Sequence, residues 1–77
     1  MDLIDHLTLT RLVLLRRHAR EHREAADKAS ERGRLAHEAG LDRGPYDVRA
    51  SVLLAAAIVC EDEAARLVDA FRVRSPL

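Results

Sequence analysis

"GLDRGP", residues 40–45, holds two of the chain's three glycines and one of its two prolines. Gly40 can take the left-handed conformation that ends a helix, and Leu41 can then fold back as the apolar contact of a Schellman motif. Gly44 can serve as N-cap, Pro45 suits a first helical position, and Asp47 falls near the positive end of a new helix dipole. The stretch therefore reads as a tight turn between two helices. On its N-terminal side, Asp2 to Ala39 contains no proline and is rich in Leu, Arg, Ala and Glu, all good helix formers. On its C-terminal side the same holds as far as Arg74. Ser75-Pro76 then breaks the pattern, and Arg72 and Arg74 suit the negative end of the dipole. The expected organisation is one helical-hairpin domain over residues 1–77, with a first helix over about 3–39, a turn at 40–44 and a second helix over about 45–73. Asp2, Thr8 and Thr10 are each chemically suited to start the first helix.

Both helical stretches carry a heptad seam. In the first, Leu12, Leu15, Ala19, His22, Ala26, Ala29, Gly33, Ala36 and Gly40 follow alternating steps of three and four. In the second, Tyr46, Ala50, Leu53, Ala57, Cys60, Ala64, Leu67 and Phe71 do the same. Folding the chain back at the turn brings them into register as Gly40–Tyr46, Ala36–Ala50, Gly33–Leu53, Ala29–Ala57, Ala26–Cys60, His22–Ala64, Ala19–Leu67 and Leu15–Phe71. Large residues then face small ones, which lets two backbones approach closely. Gly33 is a poor helix residue, and a position opposite Leu53 would give it a packing reason.

A second apolar surface is left outside this seam. Leu54, Ile58, Ala65 and Val68 line one side of the second helix, and Val52, Ala55 and Val59 line the other. Leu3, Leu7 and Leu14 extend the first helix beyond its seam. A stripe this wide implies burial against further helices. The expected assembly is a homodimer, in which two all-α antiparallel hairpins form a four-helix bundle. A short third helix over residues 2–9, folded back on the hairpin, would cover part of the same surface. Assembly also suits the length, because a 77-residue chain buries too little surface for a generous core.

Composition narrows the function classes. Thirteen basic residues balance thirteen acidic ones, so the chain has no long-range attraction for polyanions. Tyr46 and Phe71 are the only aromatics, which removes stacking platforms for bases. Cys60 is the single cysteine, so no disulfide can form within the chain, and a reducing, cytoplasmic location is expected. The acidic start, Met1 to Asp5, does not read as a signal peptide. The longest apolar run, Ala50 to Cys60, is too short to cross a bilayer, so no membrane role is expected. Arginine outnumbers lysine twelve to one and alanine is abundant, a bias that suits a small accessory protein of a high-GC bacterium or its phage.

Three features could carry chemistry. "HAREH", residues 18–22, has the His-x-x-Glu-His spelling of inverted zinc peptidases. His18 and His22 share a helix face, but catalysis would also need Glu21 as base, a third ligand and a cleft, and a hairpin has little material for one. They remain weak metal candidates, and no cofactor is expected. Arg16, Arg20 and Arg23 form a stripe on the first helix that could grip phosphates. The expected register brings acidic residues of the second helix alongside it, with Arg23 at the level of Glu63 and Arg17 at that of Asp69, so the charges read as pairing signals. Cys60 falls in the seam and reads as a small buried residue rather than a nucleophile. No catalytic constellation is present, so an enzyme is not expected. The expected function is a non-enzymatic protein–protein interaction module that acts as adaptor, regulator or inhibitor through Val52, Leu54, Ala55, Ile58, Val59, Ala65 and Val68. The alternative is a small nucleic-acid-binding regulator that uses Arg16, Arg20 and Arg23.

Overall fold

The computed structural model describes residues 3–74. Within them the chain forms two α-helices, α1 (Leu3–Glu38) and α2 (Gly44–Arg74), packed against each other as an antiparallel hairpin. The molecule is a rod of 58 × 16 × 15 Å. Its radius of gyration is 17.4 Å, whereas a compact chain of this length would have about 11–12 Å. The all-α hairpin expected from the turn and the two seams is thus present. The helix α1 runs unbroken from Leu3, so no short helix folds back over residues 3–9. Thr8 and Thr10 are interior residues, and their hydroxyls donate back to the carbonyls of Ile4 (2.9 Å) and His6 (3.0 Å). Asp2, the other candidate for the start, and Ser75-Pro76 lie outside the described residues.

The turn uses Gly40 as its sequence implies. Gly40 has φ +78°, Leu41 N–H donates to the Ala36 carbonyl at 2.8 Å, and Gly40 N–H donates to the His37 carbonyl at 3.0 Å. These two bonds are those of a Schellman motif, and they satisfy carbonyls that the end of α1 would otherwise leave open. The apolar half of the motif is weak, because Leu41 stays 65 % exposed. The cap of α2 sits one residue earlier than expected. Arg43, rather than Gly44, supplies the first accepting carbonyl, which receives the N–H groups of Tyr46 and Asp47 at 3.0 Å each. The Asp42 carboxylate accepts the Gly44 N–H at 2.9 Å. Asp is the better capping acceptor here because glycine has no side chain to offer. Arg43 Nε also donates to Asp47 Oδ2 at 2.9 Å, which fixes the first turn of α2 from outside.

The core lies in the expected seam, and it is made of small residues. Ala19, Ala26, Ala29, Gly33 and Ala36 of α1 are buried, with Ala57 and Ala64 of α2. Leu12, Leu15, His22, Leu53, Cys60, Leu67 and Phe71 are only half-buried. Among the described residues no large side chain is fully enclosed. Alanine seams bring two helices close together, but they remove little apolar area per residue from water.

The register differs from the expected one by a heptad. A Cβ placed on Gly33 would stand 3.2 Å from the Tyr46 Cβ and 3.2 Å from Asp47 Oδ1. Gly33 therefore faces the start of α2, with Tyr46 where Leu53 was expected. A shallow groove farther along the rod, lined by Ala26, Asp27, Ser30, Ala50, Ser51 and Leu54, follows the same slip. Carried down the seam, it sets His22 level with Ala57, Leu15 with Ala64 and Leu12 with Leu67. The packing role of Gly33 survives the correction, because its missing side chain makes room for Tyr46.

Candidate interaction surface

Among the described residues, Arg23–Glu61 and Arg11–Glu63 are interhelical ion pairs that flank the seam. Arg23 grips Glu61 with both arms of its guanidinium, Nε to Oε2 at 2.7 Å and Nη2 to Oε1 at 2.6 Å. Arg11 pairs with Glu63. In heptad terms Arg23 and Glu61 are both e positions, and Arg11 and Glu63 both g positions. Antiparallel helices bring e beside e and g beside g, so these pairs belong to this orientation of the chain and oppose a parallel one. The expectation of complementary flanking charges is met with different partners, since Arg23 takes Glu61 rather than Glu63. The Arg23 guanidinium holds the Glu61 carboxyl below the usual glutamate range, chiefly by the hydrogen bond and then by charge. Arg34 lowers Glu31 in the same way within α1 and also donates to Glu38 at 2.5 Å.

Most of the large apolar side chains stand outside this frame. Leu54 is 40 % and Ile58 44 % exposed, Ala65 is exposed beside them, and Val68 is half-buried. Together they form a stripe along the Arg23–Glu61 flank of α2. Val52 and Val59 lie on the opposite flank, and Ala55 lies on the outer back of the helix; all three are exposed. The two sides read from sequence thus face different ways, and exposed Glu61 stands within the first, between Ile58 and Ala65. Sequence reasoning missed Val13, which is exposed on α1 on the same flank as the stripe. Its signal was present, because Leu9, Val13 and Arg16 follow the flank spacing of three and four.

Beside Val13 the groove on α1 is basic, and it is lined by Val13, Arg16, Arg17 and Arg20. Among the described residues these three arginines form no ion pair, whereas Arg23, the third member of the expected phosphate stripe, is engaged by Glu61. His18 is exposed and His22 half-buried, one turn apart, with Glu21 exposed between them. No three His, Cys, Asp or Glu side chains among the described residues stand together in a way that could hold a metal. Cys60 is a half-buried free thiol in the seam. No helix of the described residues is long and apolar enough to cross a membrane.

The chain matches no protein-family model, and no curated protein or solved structure is significantly similar to it.

Proposed function

We propose that this protein is a non-enzymatic interaction module, an adaptor, regulator or inhibitor that works by laying the stripe of Leu54, Ile58, Ala65 and Val68 against further helices. One observation carries the reading. The hairpin's fully buried core is six alanines and a glycine, while most of its large apolar side chains, Val13, Leu54 and Ile58 among them, are exposed. Soluble chains rarely leave such a face wet. A bundle of four helices is the smallest architecture that covers it, and a second copy of the chain supplies the missing two. The charged residues along the stripe then set which surface docks and in which direction.

Light scattering across a range of concentrations tests the reading. The wild-type chain is expected to run as a dimer and Ile58→Asp as a monomer with its helicity kept. A wild-type monomer that also fails to retain any protein through this face would end it.

A second reading is supported by the three arginines of the Val13 groove, unpaired among the described residues, a basic patch on a chain of zero net charge. In it the protein is a small nucleic-acid-binding regulator that grips phosphates with Arg16, Arg17 and Arg20. Retention on DNA that weakens with salt and disappears in an Arg16→Glu, Arg20→Glu variant is the expected sign. Absence of retention at low salt would dismiss it.

A further inference from the structure

We infer that two copies stack with their turns at the same end, so that the arginine cluster of each α1 lies over the acidic edge of the other copy's α2. This arrangement rests on the self-association proposed for the stripe, and it adds the orientation and the charges that choose it. Within one hairpin, Arg23 reaches Glu61 from the turn side and Arg11 reaches Glu63 from the open end. The segment Glu61–Glu63 therefore stands level with the part of α1 between those arginines. That part carries Arg16, Arg17 and Arg20. Asp62 and Asp69, one heptad apart and both exposed, run along the edge of the stripe farthest from the seam. Their carboxylates have no ion-pair partner among the described residues, and neither do the three arginines. Within one hairpin the two clusters form no ion pair with each other.

A second copy can bring the two clusters together in only one of the two symmetric stacks. A two-fold axis along the rod keeps every residue at its level and exchanges the helices. Each α1 then crosses the face of the other copy's α2, and Arg16, Arg17 and Arg20 come over Glu61 and Asp62. Asp69, about 10 Å farther towards the open end, lies beyond that overlap. The same operation carries Val13 towards Ala65 and Val68, and it lays arginine stems over Ile58, where their methylenes can cover apolar surface. A two-fold axis across the rod sets α1 on α1 instead. The two arginine clusters then meet each other, and like charges at an interface oppose association. Both stacks bury the stripe, so charge decides between them. The area is sufficient, since a face of 58 × 16 Å offers about 900 Å² per copy, against the roughly 800 Å² per partner of a standard stable interface.

The rod's length makes the orientation measurable. Cys60 is the only cysteine, so a Cys60→Ala, Leu41→Cys chain accepts one spin label, at the exposed turn. Pulsed electron resonance on the labelled dimer should return a distance between turns on the order of 20 Å, two helix spacings or so. A distance approaching the 58 Å length of the rod would overturn the stack while leaving the dimer itself in place. A chain that stays monomeric in light scattering would remove the dimer as well. Charge reversal supplies an independent readout. Arg17→Asp should weaken the dimer roughly tenfold, as should Asp62→Arg, and combining the two should restore it. Failure of the combined variant to recover, with both parents folded, also overturns the stack.

Discussion

Ala57 and Ile58 are neighbours in sequence and belong to different surfaces. Ala57 is fully enclosed, in the seam facing α1, while Ile58 is 44 % exposed in the stripe facing away. Along the hairpin the fully buried positions hold small residues, the large seam residues Leu12, Leu15, Leu53, Leu67 and Phe71 are half-buried, and most other large apolar side chains are exposed. A chain built for its own stability would place them the other way round, because burial of a leucine or isoleucine stabilises by about 1.5–3 kcal/mol and burial of an alanine by much less. The inner seam acts as a frame that holds two helices close and straight. The outer stripe leaves its apolar area exposed, which is what the proposed docking role rests on.

The sharpest way to break this contrast is to substitute those two neighbours. Ala57→Leu forces a branched side chain between closely packed backbones and should cost the hairpin about 1–3 kcal/mol or more, read as a lower urea midpoint for the loss of helicity. Ile58→Asp should leave the hairpin's own stability within about 0.5 kcal/mol, as surface changes do, and should remove the assembly instead. If Ile58→Asp unfolds the hairpin as severely as Ala57→Leu, the stripe belongs to the core and the division between frame and docking face is wrong.

Next in size is the turn, which holds the frame's register. Gly40 has a positive φ and open space around the place where a Cβ would stand. A Gly40→Ala change therefore tests backbone conformation alone, with no collision to confuse it. It should cost about 1–2 kcal/mol, the price of the left-handed conformation for a residue with a Cβ. Thermal unfolding followed by circular dichroism measures it. A loss much larger than this would mean that the Ala36–Leu41 and His37–Gly40 bonds had been lost together.

The turn also explains which parts of the fold were legible in the sequence. Seam positions were legible because alternating steps of three and four leave one stripe on each helix, and all the buried residues fall on those stripes. The pairing between stripes was not, because a heptad seam slid by seven residues matches itself again. In an alanine-rich seam no large knob marks the correct hole. The decision lies in how the chain leaves α1 at Glu38 and enters α2 at Gly44, through the left-handed Gly40 and the Asp42 cap. That geometry places Tyr46 beside Gly33, whereas the eye pairs it with Gly40. The stripe of Leu54, Ile58, Ala65 and Val68 was legible for the same reason as the seam. Its separation from Val52 and Val59 was legible too, from the same helical spacing, whereas its neighbour Val13 on the other helix depends on where α1 lies. Arg23 looked like part of a phosphate stripe because its partner Glu61 is distant in sequence.

The smallest effect expected lies in that Arg23–Glu61 pair, and its sign follows from the carboxylate. Glu61 titrates below its ordinary value in the folded chain because Arg23 bonds and attracts the charged form. A carboxylate with a depressed folded pKa stabilises the fold above the unfolded value, about 4.3 for glutamate. That contribution fades as pH falls through the lowered folded value. Both side chains are close to half exposed, so solvent screens the interaction and the change should be slight. The difference in melting temperature between wild type and Glu61→Gln should be small at pH 7 and should shrink further as pH falls through the lowered folded value, where the wild-type carboxylate becomes protonated. Raising the salt concentration at pH 7 should shrink it as well. A difference that instead grew on acidification would mean that Glu61 is stabilised in its protonated form, and Arg23 would then not be its main partner on this flank.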